Sequence, residues 1–128
     1  MIIECYCDYD YDQPEFYLRR MIKAKKRHQC EECGAPILMG EEHEYVSGKW
    51  DGYFSTFRTC SGCAELRQWV KNNVPCLYWA HGNLLEDLET SVRDAHERAR
   101  EEVGGLLFGF LRRRERLYRL NRKKAVAA

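Results

Sequence analysis

The sequence predicts an α+β fold, and three observations predict it. Two Cys-x-x-Cys pairs, Cys30 with Cys33 and Cys60 with Cys63, are separated by 26 residues. Between them, two runs rich in aromatic and β-branched residues, 42 to 50 and 53 to 59, flank Asp51-Gly52, a strong short-range hairpin signal. After Cys63 the pattern changes to Leu66, Trp69, Val70 and Val74, apolar positions at helical spacing. The predicted order is therefore a cysteine knuckle, a β-hairpin and a helix whose first turn carries the second cysteine pair, followed by a helical extension.

The totals suit this reading. A chain of 128 residues accommodates one compact domain and an appendage, and too few residues remain for two independent cores. Apolar residues make up 45% and charged residues 32%, and no apolar run approaches the roughly 20 residues needed to cross a bilayer. The opening, with Glu4, Asp8, Asp10 and Asp12, lacks the basic start and long apolar stretch of a secretion signal, so a cytoplasmic location is expected. There thiols stay reduced, and seven cysteines then point to metal binding rather than to disulfides.

A net charge of +1 hides strong segregation. Five acids up to Glu15 are followed by Arg19, Arg20, Lys23, Lys25, Lys26 and Arg27. Near the end, Arg112 to Lys124 holds eight Arg or Lys residues, among them Arg112, Arg113, Arg114 and Arg116, opposed only by Glu115. Lys25, Lys26, Arg27 and these four arginines are the candidates for salt-dependent contact with a polyanion.

Taken in order, residues 1 to 29 read as an N-terminal arm, with Gln13-Pro14 excluding helix and a basic run leading into Cys30. Residues 30 to 74 read as the metal domain. In Cys30-Glu31-Glu32-Cys33-Gly34 the glycine lets backbone amides turn toward the sulfurs. With Asp51-Gly52 as a two-residue loop, Trp50 faces Tyr53, Gly48 faces Ser55 and Val46 faces Phe57, giving one largely apolar face for the core. The opposite face then carries Lys49 with Phe54, Ser47 with Thr56 and Tyr45 with Arg58. Tyr45, Lys49, Phe54 and Arg58 form its candidate binding surface.

Residues 75 to 128 read as a helical extension with a basic tail. Pro75 ends the first helix, and Cys76 to Asn83 forms a connection carrying Tyr78, Trp79 and His81. Leu84, Leu85, Leu88, Val92, Ala95, Ala99 and Val103 keep one apolar stripe, which predicts a helix over 84–103. Gly104-Gly105 lowers the stability of a helix interior by about 2 kcal/mol relative to two alanines, so a break is expected there. A last basic amphipathic helix follows from Leu106, read as a helix docked on the domain.

Four soft sulfur ligands in two Cys-x-x-Cys turns, joined by a hairpin that closes the tetrahedron, predict one structural Zn2+ held by Cys30, Cys33, Cys60 and Cys63. Rubredoxin-type iron sites prefer two glycine-following knuckles, whereas Cys63 runs into Ala64-Glu65-Leu66 and a helix. A closed set of four thiolates leaves no position for a reacting water, which makes the metal a staple. Cys5, Cys7 and Cys76, with His28, His43 or His81, are an irregular set for a second metal and read as free thiols.

Knuckle, hairpin and helix in this order resemble the treble-clef arrangement over residues 30 to 74. More specifically, Arg27-His28-Gln29-Cys30-Glu31-Glu32-Cys33-Gly34, Gly40-Glu41 and Val46-Ser47-Gly48-Lys49-Trp50-Asp51-Gly52 through Thr59-Cys60 resemble a family of small zinc proteins of phages and prophages. That resemblance implies origin and scaffold and lends no activity. The expected function is a non-enzymatic adaptor, inhibitor or regulator of a protein partner, in which aromatic residues supply contact area. The alternative is a nucleic-acid-binding protein that uses the basic arm and tail. A third reading rests on the His-metal nucleases that share the treble-clef scaffold. It has only His43 on the hairpin, with Arg67, Gln68, Lys71 and Asn72 as a poor set of helix ligands. His43 itself reads as an exposed strand residue, and His28, His81 and His96 as surface or connector positions.

Overall fold

The computed structural model describes residues 16–74, 77–98 and 105–127. The elements, in chain order, are β1 (Phe16–Lys23), β2 (His28–Gln29), β3 (Pro36–Ile37), β4 (Glu42–Trp50), β5 (Tyr53–Cys60), α1 (Ser61–Asn73), α2 (Leu84–Arg98) and α3 (Leu106–Ala127). The fold is α+β, as the sequence predicts.

The hairpin of β4 and β5 forms in the predicted register, with Trp50 opposite Tyr53, Lys49 opposite Phe54, Val46 opposite Phe57 and Tyr45 opposite Arg58. Asp51 and Gly52 both take positive φ, 50° and 82°, the left-handed pair of a two-residue turn whose twist matches that of the strands. On the core side Glu44, Val46 and Gly48 are buried. Tyr53, expected on that face, is 78% exposed at the hairpin tip, beside the Asp51-Gly52 turn.

Within the segment read as an arm, Phe16–Lys23 is a strand. It pairs antiparallel with β4, from Phe16 opposite Lys49 to Lys23 opposite Glu42, and gives a three-stranded sheet in the order β1-β4-β5. Residues 1 to 15 lie outside the described residues. The strand escapes the period-two test because it is a sheet edge. Most of its residues stay exposed on both faces, so no alternation is imposed on Tyr17-Leu18-Arg19-Arg20-Met21.

The main core lies between the knuckle and the helices. Ile37, Val70, Leu84, Leu88, Val92 and Phe110 are all 0% exposed within one cluster that also contains Cys30, Cys60 and Cys63. Sulfur ligands and apolar side chains thus share one interior. α2 follows the predicted stripe through Leu84, Leu88, Val92 and Ala95, while residues 99 to 104 lie outside the described residues. Gly105 has φ 81°, and α3 starts directly after it, in keeping with the expected break.

α3 docks on the domain. A side chain at Gly62 would meet Leu117 at 2.5 Å, so that pair fixes how closely α3 approaches the start of α1. Arg113 lies over Trp69 at 4.3 Å, and Arg114 pairs with Glu89 at 2.5 Å. No helix among the described residues is long and apolar enough to cross a membrane.

Candidate metal centre and the open sheet face

Cys30 and Cys33 sit on the turn between β2 and β3, where Gly34 takes φ 76° and donates its N–H to the Cys30 carbonyl at 3.0 Å. Cys60 ends β5 and caps α1: its Sγ accepts the Cys63 N–H at 3.4 Å, which places Cys63 on the first turn of the helix. Cys30 Sγ accepts the N–H groups of Glu32 at 3.4 Å and Cys60 at 3.3 Å. The four sulfurs lie within 4.8 Å of one another, with Cys30 to Cys63 at 3.9 Å and Cys33 to Cys60 at 3.6 Å. Metal–sulfur bonds of ~2.3 Å in a tetrahedron require sulfurs about 3.8 Å apart, a spacing these two pairs already have, so the four residues fit a four-thiolate site.

The electrostatics of the cluster favour a cation. Hydrogen bonds from Cys33, Cys60 and Cys63 hold the Cys30 thiol far below its ordinary range. Donation to Cys30 pushes Cys60 and Cys63 upward, and burial adds to the rise. Cys33, only partly buried, is lowered as well, to about 7, so the four sulfurs already carry negative charge for a cation to meet. A divalent ion at their centre stabilises all four thiolates at once and releases their protons.

The metal knuckle also anchors the helical extension. Glu32, between the two ligands, accepts the N–H of Gly82 at 2.6 Å and of Leu84 at 2.8 Å, satisfying free donors at the start of α2. Replacing Glu32 with Ala is expected to lower stability by about 2 kcal/mol through loss of these charge-assisted bonds. The metal content should be unchanged. Denaturant unfolding checks the first point, and faster amide exchange at Gly82 and Leu84 shows where the loss occurs; unchanged exchange there would rule out the anchor.

A second buried device holds the sheet to α1. Glu44 is 0% exposed, and Arg67 grips it with Nη1 on Oε1 at 2.9 Å and Nη2 on Oε2, while Arg19 Nε reaches Oε2 at 2.5 Å. Arg67 also lies 4.7 Å over Trp79. Burial by itself raises the Glu44 carboxyl, but the hydrogen bonds from Arg67 and Arg19 outweigh it and hold the group below its usual range. The sequence carried one signal of this: alternation puts Glu44 on the Val46 face, where a carboxylate needs a partner.

Among the described residues, nothing is packed across most of the other face of the sheet. By alternation from the observed register it carries Phe16, Leu18 and Arg20 from β1, Tyr45, Ser47 and Lys49 from β4, and Phe54, Thr56 and Arg58 from β5. Phe54 is 74% exposed, Phe16 48% and Leu18 42%. Lys49 Nζ stands 5.3 Å from the Phe54 ring, and the Arg58 and Arg20 guanidinium groups stand 4.7 Å and 5.9 Å from the Tyr45 ring. All four sequence-chosen residues of this face are brought together here. Phe16 and Arg20, which sequence reasoning missed, join them because β1 completes the sheet.

The polyanion candidates divide. Lys25, Lys26 and Arg27 are exposed on the turn between β1 and β2, and Arg112 and Arg116 are exposed on α3. Arg113 is exposed too, with its guanidinium over Trp69, and only Arg114 is half-buried, paired with Glu89. One histidine departs from expectation, and a second, His81, lies on the expected connection but is packed against rings. His43 is fully buried rather than exposed, since His28 lies against it at 5.8 Å and its Nε2 accepts from Arg58 at 2.7 Å. His81, expected at a connector position, stacks on Phe57 at 4.4 Å with Trp79 edge-on at 4.6 Å, and burial lowers its pKa to about 4. Cys5, Cys7 and Cys76 lie outside the described residues.

Comparison of the chain with family models, with curated proteins and with solved structures gives no match.

Proposed function

We propose that this chain is a non-enzymatic binding module in which one zinc ion staples a treble-clef-like knuckle, hairpin and helix, and the open sheet face engages an anionic macromolecule. The observation that carries the reading is the make-up of that face. The exposed rings of Phe16 and Phe54 share it with Arg20 and Arg58, whose guanidinium groups lie over Tyr45, and with Lys49 over the Phe54 ring. Glu44, in contrast, lies on the covered face, already paired. An adaptor or regulator of phage origin would act through such a surface, and the phage setting rests on the sequence resemblance. A catalytic role for His43 is disfavoured by its burial and its engagement with Arg58.

The test uses the tagged, zinc-loaded chain incubated with bacterial lysate at two salt concentrations, with and without nuclease. Two variants accompany it: Arg20→Glu/Phe54→Ala on the sheet face and Arg112→Glu/Arg116→Glu on α3. Material recovered by the wild type and the α3 variant, and lost with the face variant, supports the reading. Equal recovery by all three removes the sheet face as the working surface.

A further inference from the structure

A second surface, independent of the sheet face, lies on the outer side of α3. Leu106, Phe110 and Leu117 are buried, and successive residues of a helix turn by about 100°, so these three fix one side of α3 against the domain. On the opposite side stand Arg112, Arg116, Arg119 and Lys123, at spacings of four, three and four residues, with Phe108 and Val126 in line at the two ends. All six are exposed, Phe108 at 70% and Val126 at 90%. We infer that this side of α3 lies on an anionic lipid bilayer, the four cations meeting lipid phosphates and Phe108 entering the boundary between headgroups and acyl chains.

The four cations are available. Glu115 is the one carboxylate within α3, and it pairs with Arg122 at 3.2 Å. No carboxylate, carbonyl or ring of the described residues engages the side chains of Arg112, Arg116, Arg119 or Lys123. In this they differ from Arg113, Arg114 and Lys124, which lie against Trp69, Glu89 and Glu41. Each Arg or Lys beside an anionic bilayer strengthens attachment by about five-fold, so four supply roughly several hundred-fold. Because the row stands opposite the packed side of the helix, a flat surface can reach the whole line, about 27 Å from Phe108 to Val126. A duplex presents phosphates without an apolar layer for Phe108, and an acidic protein would have to place its own apolar patches that far apart. The basic turn adds to the field: Lys124 pairs with Glu41 at 2.8 Å, and the Glu41 carbonyl accepts the Ala24 N–H at 2.9 Å, which brings exposed Lys25 and Lys26 close to the end of the row.

The experiment is co-sedimentation of the full-length, zinc-loaded chain with vesicles of phosphatidylcholine, alone or with about one-third phosphatidylglycerol, at low and high salt. Binding to the anionic vesicles is expected to be at least about 100-fold tighter than to the neutral ones at low salt, and to fall steeply at high salt. Arg112→Gln/Arg119→Gln should weaken it by about 25-fold and leave the melting temperature unchanged, because neither side chain has a partner in the fold. Phe108→Ala should weaken it several-fold at both salt concentrations, since the burial of a ring is not screened. The sheet-face variant Arg20→Glu/Phe54→Ala should bind vesicles as the wild type does, which keeps this result separate from the test of the sheet face. Equal binding to neutral and anionic vesicles, anionic binding that the arginine variant leaves unchanged, or a loss confined to the sheet-face variant overturns the inference. So does tighter binding to a nucleic-acid duplex of about 20 base pairs, measured by fluorescence anisotropy and lost in the arginine variant, which would assign the row to nucleic acid.

Discussion

Cys60→Ser is expected to abolish metal retention and, with it, the cooperative unfolding of the whole chain. Cys60 ends β5, accepts the Cys63 N–H as the cap of α1, donates its own N–H to Cys30 Sγ and supplies one of the four sulfurs. A serine hydroxyl keeps the cap but stays protonated at neutral pH and binds a soft ion poorly. Structural zinc sites supply on the order of 10 kcal/mol or more of folding free energy, comparable with the entire stability of a small domain. The loss should not stay local, because Cys30, Cys60 and Cys63 belong to the same core cluster as Leu66, Val70 and Leu88. The metal-to-protein ratio by mass spectrometry should fall from one toward zero, and the thermal transition should broaden or vanish. Acid should do the same to the wild type, since protons compete with the metal for the thiolates. A fully loaded Cys60→Ser variant with an unchanged melting temperature would refute the assigned centre.

Arg67→Ala is expected to destabilise the fold by about 3–5 kcal/mol while leaving the metal in place, because it strands a buried carboxylate. Only Arg19 would remain on Glu44, and its side chain is 50% exposed. Because the folded-state pKa of Glu44 is depressed, its contribution to stability is present above the unfolded pKa and is lost as pH falls through the lower folded value. In the variant, burial is no longer outweighed and the carboxyl moves up. The difference from wild type should therefore be greatest near neutral pH and shrink on acidification. Denaturant unfolding of both proteins over a range of mildly acidic to neutral pH measures this. The double variant Glu44→Leu/Arg67→Leu should recover most of the loss, since apolar pairs of similar size often replace a buried ion pair without penalty. A loss below about 0.5 kcal/mol for Arg67→Ala would place it among ordinary surface changes and show the pair to be dispensable.

What was legible in the sequence depended on short-range geometry. A Cys-x-x-Cys turn and an Asp-Gly loop dictate backbone shape within a few residues, so the cysteine cluster and the register of β4 with β5 could be read directly. The stripe from Leu84 to Ala95 follows from helical periodicity in the same way. β1 was missed because an edge strand with exposed faces needs no alternation, and its pairing with β4 is decided some 25 residues away, as Arg19 with Glu44 shows. His43 was misplaced for a related reason. Alternation assigns it correctly to the face of Tyr45, but that face is covered at this one end by His28, which comes from another element.

By itself, then, the sequence determined the cysteine cluster, the hairpin, the order of the helices and the side of the hairpin on which Tyr45, Lys49, Phe54 and Arg58 stand. Tertiary structure alone decided which charges are spent inside the fold. Arg67, Arg114 and Lys124 are taken up by Glu44, Glu89 and Glu41, while Arg20 is left on an open sheet. The physical reason is range: backbone periodicity acts over a turn or a strand pair, whereas the fate of a charge depends on which carboxylate or ring lies across space from it.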